Sequence, residues 1–423
     1  MKLLKHLTWV KLFFISFLAV LTACKSSVED SEGSAVKSQL PLKSGRATIM
    51  LNDSTPLAFT FTVDSLKDGA QPFVIKNAAE RVAAEARFIS TDSVKITLPV
   101  FANYLLAYWD GETLQGHYHN PDAENYQLPF TASFTEAARY PLDSPACCSI
   151  NEKWRVRLSP NTEGEDPAIA YFEQTGEKVT GTFLTETGDY RYLEGSFSGN
   201  QLQLSAFDGA HLFFFSAQVQ SSQQMEGHFY SGRSYHTTWQ AFRDDDFELA
   251  DPDTLTYLKA GYSEMAFAFP TLKGDTLSLD DERFNNKPVI IQIMGSWCPN
   301  CMDETRYLTE VYRQYKSQGL EVVGLTFERA RDQSSAEKRA QKMITDLEIP
   351  YPVLMAGYTR EDKAAEALPM LNHIMSYPTT IYLDANHQVQ KIHTGFSGPG
   401  TPVYESFVEI NTLFIEKLIN AKN

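Results

Sequence analysis

Short segments in which apolar and polar residues alternate fill the chain from residue 47 to residue 242. Such a period of two predicts β-strands, because successive side chains of a strand point to opposite faces of a sheet. Predicted strands include 178–184, 193–197, 201–204 and 211–215. Turn sequences such as Ser198-Gly199-Asn200 join them. We therefore predict an all-β domain over residues 45–243.

A glycine followed two residues later by an aromatic residue recurs in this region. The pairs are Gly116/Tyr118, Gly181/Phe183, Gly195/Phe197 and Gly227/Phe229. Residues two apart share a strand face, and a ring beside bare glycine backbone suits a tightly curved sheet. The pattern favours a barrel or a sandwich over a solenoid.

The pattern changes after residue 243. Residues 244–261 are rich in aspartate and turn-forming residues and predict a linker. Beyond it, strands are predicted at 288–294, 320–326, 351–354, 379–384 and 389–393, and helices at about 299–317, 334–347 and 403–421. Such alternation predicts an α/β domain over residues 262–423, in which helices cover a sheet.

The N-terminus predicts an export signal over residues 1–23. Three lysines precede an apolar run at 12–23, which is too short to span a bilayer comfortably. The run ends in Leu21-Thr22-Ala23-Cys24, which resembles the bacterial lipobox. The resemblance implies that Cys24 is lipidated and anchors the chain, with residues 24–44 as a flexible tether. An uncleaved anchor or an ordinary secretory signal is the alternative.

Charge excludes one class of partner. The 423 residues carry a formal net charge of -16 and a pI near 5.1, so the chain offers no basic surface for nucleic acid. No Gly-x-Gly-x-x-Gly sequence predicts a nucleotide cofactor, and no second Cys-x-x-Cys predicts a metal site.

The segment Cys298-Pro299-Asn300-Cys301 lies where a buried strand gives way to a helix. Free backbone N–H groups and the helix dipole stabilise a thiolate at that place. Proline is favoured at the first helical position, which leaves Cys298 at the N-cap. Cys301 falls on the apolar stripe of the helix with Leu308. We therefore predict an exposed attacking sulfur on Cys298 and a shielded resolving sulfur on Cys301.

These residues resemble the thioredoxin superfamily, most closely its TlpA/ResA branch of membrane-tethered envelope thioredoxins, over roughly residues 262–423. Residues 376–380, Ser-Tyr-Pro-Thr-Thr, resemble the cis-proline loop of that family. The resemblance implies a docking groove lined by Trp297, Pro299, Tyr377 and Pro378. It also implies that Glu328 neighbours the dithiol and shuttles the proton of Cys301, although an exposed loop glutamate is an equal alternative.

The resemblance implies a lipid-anchored thiol-disulfide oxidoreductase of the bacterial envelope, at the outer membrane because Lys25 follows Cys24. Its substrates would be disulfides in exported proteins. A membrane thiol-electron donor would reduce it, and the Cys298–Cys301 disulfide would be its sole redox group.

Three alternatives stay open from the sequence. A thiol peroxidase is disfavoured because Gly295 stands where such enzymes have threonine or serine. A binding or chaperone lipoprotein would use the β-rich domain to capture a partner. The adjacent Cys147 and Cys148 are either two thiols in a turn or an internal redox partner of Cys298.

Overall fold

The computed structural model describes residues 39–330, 332–358 and 361–421. The predicted export signal, Cys24 and most of the predicted tether lie outside these residues, so lipidation stays a prediction. Among the helices of the described part, none is long and apolar enough to cross a membrane.

The first barrel is an antiparallel meander in which each strand pairs with the next and the last pairs with the first. Its strands are β1 (Ser44–Asn52), β2 (Thr55–Val63), β3 (Gln71–Asn77), β4 (Glu80–Phe88), β5 (Ser93–Thr97), β6 (Tyr104–Trp109), β7 (Thr113–Asn120) and β8 (Tyr126–Ser133). Closure leaves no unpaired strand edge within this sheet.

The second barrel follows directly. Its strands are β9 (Glu152–Leu158), β10 (Asp166–Thr175), β11 (Lys178–Thr185), β12 (Gly188–Asp189), β13 (Leu193–Ser198), β14 (Gln201–Phe207), β15 (Leu212–Ser221), β16 (Gln224–Ser231) and β17 (Tyr235–Phe242). β10 pairs with both β9 and β11, which closes the sheet, and the two-residue β12 extends its rim beside β11. The all-β prediction is confirmed, but the region holds two barrels where one barrel or sandwich was expected.

Aromatic side chains fill the second barrel. The ring of Phe215 stacks on Phe183 at 4.1 Å and on Phe229 at 4.3 Å, and Trp239 meets Phe183 edge-on at 5.2 Å. All four side chains are buried. Stacked and edge-on rings contribute beyond the apolar area that they bury, so this interior is a packed core.

The four glycines of the Gly-x-aromatic pattern lie where strands approach closely. A Cβ atom on any of them would overlap backbone atoms of a neighbouring strand, as at Gly227 against Ser216 O. The four paired aromatic residues are all buried. Glycine is therefore required at these four positions by the close approach of the neighbouring strand, and the aromatic residues face the cores.

The C-terminal domain has a five-stranded sheet of order β22-β21-β20-β23-β24, with β18 and β19 forming a separate hairpin. Its strands are β18 (Ala268–Pro270), β19 (Thr276–Ser278), β20 (Val289–Met294), β21 (Glu321–Glu328), β22 (Val353–Tyr358), β23 (Thr379–Leu383) and β24 (Val389–Thr394). Its helices, preceded by the short α1 (Pro252–Leu255) in the linker, are α2 (Pro299–Tyr315), α3 (Gln333–Asp346), α4 (Glu361–Ala367) and α5 (Tyr404–Asn420). The predicted α/β class is confirmed; α1, α4 and the hairpin were too short to predict.

The central strand β20 divides two apolar cores. Ile290 and Met294 face the core that α2, α3 and α5 cover, while Ile291 and Ile293 face the core beneath the β18–β19 hairpin and α4. Gln292 is the one polar residue of this strand, and it points toward α2. The strand ends at Met294, directly before the segment that leads to Cys298.

The barrels and the C-terminal domain belong to one compact unit. Asp122, in the β7–β8 loop, pairs with Arg339 of α3 at 2.6 Å. Asp346 of the same helix accepts a hydrogen bond from the Val100 N–H at 2.8 Å. These contacts bring the β-rich region against the helical face that carries the dithiol.

We expect Gly227→Ala to destabilise the protein by about 1 to 3 kcal/mol, because overpacking forces backbone shifts. Denaturant unfolding would measure the loss. Gly164→Ala is the matched control, since the nearest atom to its Cβ would be Thr162 Oγ1 at 3.8 Å. Equal stability of the two variants would contradict the close-approach explanation.

Candidate dithiol site

Cys298 is the N-cap of α2, and Pro299 occupies the first turn, as the sequence predicts. The Cys301 N–H lies 3.0 Å from Cys298 Sγ, which is the geometry in which a helix N-terminus stabilises a thiolate. The two cysteines form a disulfide with a Cα–Cα distance of 5.2 Å. The site can therefore cycle between a dithiol and a disulfide.

A loop before β23 faces the disulfide. The Tyr377–Pro378 peptide bond is cis, and Tyr377 O lies 3.2 Å from Cys298 Sγ. Gly395, at the end of β24, donates its N–H to Pro378 O at 2.9 Å. Two strand ends thus place this loop against the start of α2.

Trp297 borders the other side of the dithiol. Its indole N–H donates to Phe327 O at 2.9 Å, and its ring meets Tyr377 edge-on at 5.3 Å. The Arg329 guanidinium lies 3.5 Å from the centre of the indole ring. Trp297, Pro299 and Tyr377 are half-buried beside the disulfide, and their predicted contact with substrate stays a prediction.

The expected exposure of Cys298 is wrong. Cys298 is 3% exposed, hardly more than Cys301 at 0%. Residues of the β-rich region pack around this site, among them Val100 and Phe101 of the first barrel. The two sulfurs therefore differ in position at the helix start but hardly in solvent access.

Residues 186–191, the cover loop, lie at the rim of the second barrel and contact three segments around the dithiol. Thr187 O accepts a hydrogen bond from Ser376 Oγ at 2.8 Å, beside the cis-proline. Gly188 packs on the Asn300 side chain so closely that a Cβ would overlap it. Asp189 Oδ2 accepts from the Gly398 N–H at 2.6 Å. No local sequence pattern predicts this contact between distant segments.

Arg191 ends the cover loop and is buried among three carboxylates. It binds Asp303 Oδ2 at 2.6 Å, pairs with Glu80 of β4, and lies 3.7 Å from Asp208 Oδ2. It also donates to Pro299 O at 3.3 Å. A cavity of about 550 Å³ adjoins this cluster between the barrels and α2.

Glu328 lies at the end of β21 and is buried. Its carboxylate accepts hydrogen bonds from Ser296 N at 3.0 Å, from Ser296 Oγ at 2.5 Å and from Thr326 Oγ1 at 2.5 Å. These contacts hold the loop just before Trp297. Glu328 is not an exposed loop residue, and its role in proton transfer stays a prediction.

Glu304 is a second buried carboxyl at the site. It lies three residues after Cys301 on α2, so the two side chains share a helix face. Its oxygens accept from Thr380 Oγ1 at 2.7 Å and from Gln292 Nε2 at 2.9 Å. Burial raises the pKa of Glu304 to about 7, although these two hydrogen bonds oppose the rise.

The sequence analysis did not single out Glu304. The available signal was Gln292, the one polar residue of an apolar strand. An isolated amide within a buried strand requires a polar partner on the facing helix.

Cys147 and Cys148 lie far from the disulfide. Their sulfurs are 3.5 Å apart, and Cys147 N donates to Gly199 O in the β13–β14 turn. The cover loop lies at the opposite ends of β11 and β13, which are separated from that turn by about 20 Å of strand. In this fold the pair cannot exchange disulfides with Cys298 within one chain.

The family model described as Redoxin matches residues 259–407, about a third of the chain. Residues 259–407 form a Redoxin domain of the thioredoxin superfamily. The thiol-disulfide oxidoreductase ResA of Halalkalibacterium halodurans is 24% identical to the chain over 152 residues, which are 36% of this chain and 77% of that protein. The thiol:disulfide interchange protein DsbE of Vibrio cholerae is 25% identical over 145 residues, 34% of this chain and 70% of that protein.

Two solved structures are also similar to the Redoxin domain. A thiol:disulfide interchange protein of Chlorobium tepidum is 19% identical, covers 37% of this chain and 96% of its own, and has a TM-score of 0.29. A thiol:disulfide interchange protein from a Bacteroides species is 20% identical, covers 39% and 94%, and has a TM-score of 0.30. The dithiol and the similarity to the ResA and DsbE proteins identify the Redoxin domain as an oxidoreductase domain.

We expect the stability of the oxidised protein to fall as the pH rises from about 4.5 to about 7, in part through Glu304. A carboxyl with a raised folded-state pKa binds its proton more tightly folded than unfolded, so the protein loses stability between the two pKa values. The loss attributable to Glu304 is about 3 kcal/mol. Urea unfolding across this range, compared between the protein and Glu304→Gln, measures it.

The Glu304→Gln profile should be flatter by that amount, because glutamine does not titrate. Glu416→Gln, a surface carboxyl on α5 that bonds Tyr315, is the matched control and should keep the parent slope. Parallel profiles for the protein and Glu304→Gln would contradict the assignment.

Proposed function

We propose that this protein reduces or exchanges disulfides in exported proteins through Cys298-Pro299-Asn300-Cys301. The observation that carries the proposal is the position of the dithiol, at the N-terminus of α2 and against the loop of Pro378. A helix N-terminus favours the thiolate that starts disulfide exchange. The relatives named as thiol-disulfide oxidoreductases support the same chemistry.

The exchange has two steps. The Cys298 thiolate attacks one sulfur of a substrate disulfide, so that a mixed disulfide forms and the other substrate sulfur leaves as a thiolate. Cys301 then loses its proton and attacks Cys298 Sγ. The mixed disulfide breaks and the second substrate thiolate leaves. The substrate disulfide has then been reduced by two electrons, and the dithiol has been oxidised to the Cys298–Cys301 disulfide.

The proton of Cys301 needs an acceptor in a buried site. Glu304 shares the helix face of Cys301, and its pKa of about 7 suits a group that takes and returns a proton near neutral pH. Glu328 is the second candidate, although its oxygens already accept hydrogen bonds from Ser296 and Thr326.

The remaining parts of the proposal come from the sequence. Trp297, Pro299, Tyr377 and Pro378 line the groove that receives the substrate. Lipidated Cys24 holds the protein in the cell envelope, at the outer membrane, where disulfide substrates occur. A membrane thiol donor returns the oxidised dithiol to its reduced form, so no further cofactor takes part.

The geometry at Gly295 disfavours a thiol peroxidase. A Cβ at this position would overlap the Trp297 indole and lie 2.8 Å from Phe327 O. The threonine or serine that such an enzyme requires three residues before its reactive cysteine therefore has no room.

We expect the reduced protein to accelerate the reduction of insulin by dithiothreitol, as a turbidity assay would show. Cys298→Ser should lose essentially all of this activity because the attacking sulfur is gone. Cys301→Ser should instead accumulate a mixed disulfide with its substrate, visible by non-reducing electrophoresis and mass spectrometry.

The double variant Cys147→Ser/Cys148→Ser is the matched control, because that pair lies at the far end of the second barrel. It should keep the parent rate. Full insulin reduction by Cys298→Ser, or loss of activity in the double variant alone, would contradict the proposed site.

A further inference from the structure

We propose that His211 and Arg191, both from the second barrel, are positioning residues of the dithiol, because they hold the two backbone carbonyls that flank Cys298. The inference rests on the proposed function and extends it: the β-rich region becomes part of the redox site. The two side chains contact the backbone on either side of Cys298, at Pro299 O and Trp297 O, so each would act through the backbone and through its charge.

Arg191 holds the carbonyl that follows Cys298. Its Nη1 donates to Pro299 O at 3.3 Å and to Asp303 Oδ2 at 2.6 Å, both in the first turn of α2. The side chain is buried, and its other contacts are with Glu80 and Asp208 of the β-rich region. The guanidinium therefore fixes the helix start to the barrels and places a positive charge beside it.

His211 holds the carbonyl that precedes Cys298. Its Nε2 lies 3.1 Å from Trp297 O, and its Nδ1 lies 2.8 Å from Asp208 Oδ2. The ring is further held by an edge-on contact with Phe101 at 5.3 Å. A histidine fixed on both nitrogens is oriented by its partners rather than left to rotate.

Both partners of His211 are acceptors. Trp297 O is a carbonyl oxygen. The Asp208 carboxylate is an acceptor as well, because its Oδ1 accepts from the Ala210 N–H at 3.0 Å and the His211 N–H at 2.7 Å, and Arg191 Nε lies 3.7 Å from its Oδ2. An imidazole ring donates from both nitrogens only when it carries a second proton. The contacts therefore assign a cationic His211.

When His211 is cationic, three cations, His211, Arg191 and Arg306, face the three carboxylates of Glu80, Asp208 and Asp303. Asp189 is a fourth carboxyl beside Arg191 and Asp303, and burial raises its pKa to about 6. Removal of the buried Arg191 or of the half-buried His211 adds net negative charge near Cys298, which disfavours its thiolate. Because a stabilised thiolate makes a dithiol more oxidising, loss of the cation makes this dithiol more reducing.

The test is the redox equilibrium of the full chain with reduced and oxidised glutathione, read by alkylation and mass spectrometry of Cys298 and Cys301. His211→Phe keeps an aromatic ring beside Phe101 but removes the donor and the charge. We expect it to shift the equilibrium toward the disulfide by about threefold to tenfold, and to raise the pKa of Cys298 in an alkylation-rate titration.

Arg191→Gln should shift the equilibrium in the same direction, and Arg191→Lys, which keeps the charge, should recover part of the shift. His236→Gln is the matched control, since this histidine is exposed on β17 and pairs with His228. Thermal unfolding identifies the variants that fold. If Arg191→Gln does not fold, the test is decided by His211→Phe alone.

The proposal would be overturned if folded His211→Phe had the same redox equilibrium and the same Cys298 pKa as the His236→Gln control. A lower melting temperature of His211→Phe would not change that conclusion. The measurement needs no substrate turnover. A protein that fails to reduce insulin but shows the shift would refute the proposed function and leave this inference standing.

Discussion

One buried cation connects the three parts of the structure. The guanidinium of Arg191 comes from the second barrel and meets Glu80 of the first barrel and Asp303 of the Redoxin domain. Transfer of a charge out of water costs several kcal/mol, which only close partners with good geometry repay. Each partner therefore depends on the others staying in place. Together with the contacts of Thr187, Asp189 and His211, this cluster keeps the barrels over the dithiol, where Cys298 is buried.

Two buried carboxyls near the dithiol show how environment separates groups of the same chemistry. Glu328 accepts three hydrogen bonds at the end of β21 and holds the loop that leads to Cys298. Glu304 has two donors, and burial raises its pKa to about 7. A carboxyl whose pKa lies near neutral pH suits the proton acceptor that we propose for Cys301, and the donors around Glu328 hold the loop before Trp297.

Local pattern predicted the features that depend on neighbouring residues. The N-cap at Cys298 follows from a strand, a proline and a helix within a few positions, and the Gly-x-aromatic pairs indicate strands of the β-rich region. The contacts of Arg191 and His211 with the Redoxin domain join residues 86 to 112 positions apart, for which a single sequence holds no periodic signal. The second barrel was not predicted for the same reason. Its closure depends on the pairing of β10 with β11 as well as with β9, which no local pattern indicates. The site was thus predictable in its chemistry but not in its surroundings.

The cover loop lies in the groove in which a substrate of the proposed function would dock. Thr187 O accepts a hydrogen bond from the Ser376 hydroxyl beside the cis-proline, in the groove where an extended substrate segment would dock. Because the cover loop belongs to the same chain, its effective concentration at the groove is high, and a substrate has to compete with it for the same contacts. If a substrate docks only where the contact of Thr187 with Ser376 has opened, its apparent affinity equals the intrinsic affinity multiplied by the fraction of molecules in that open state. Selectivity would then depend on which substrates can displace the loop as well as on which disulfides can be reduced, and small thiols that slip past it would not be subject to that restriction.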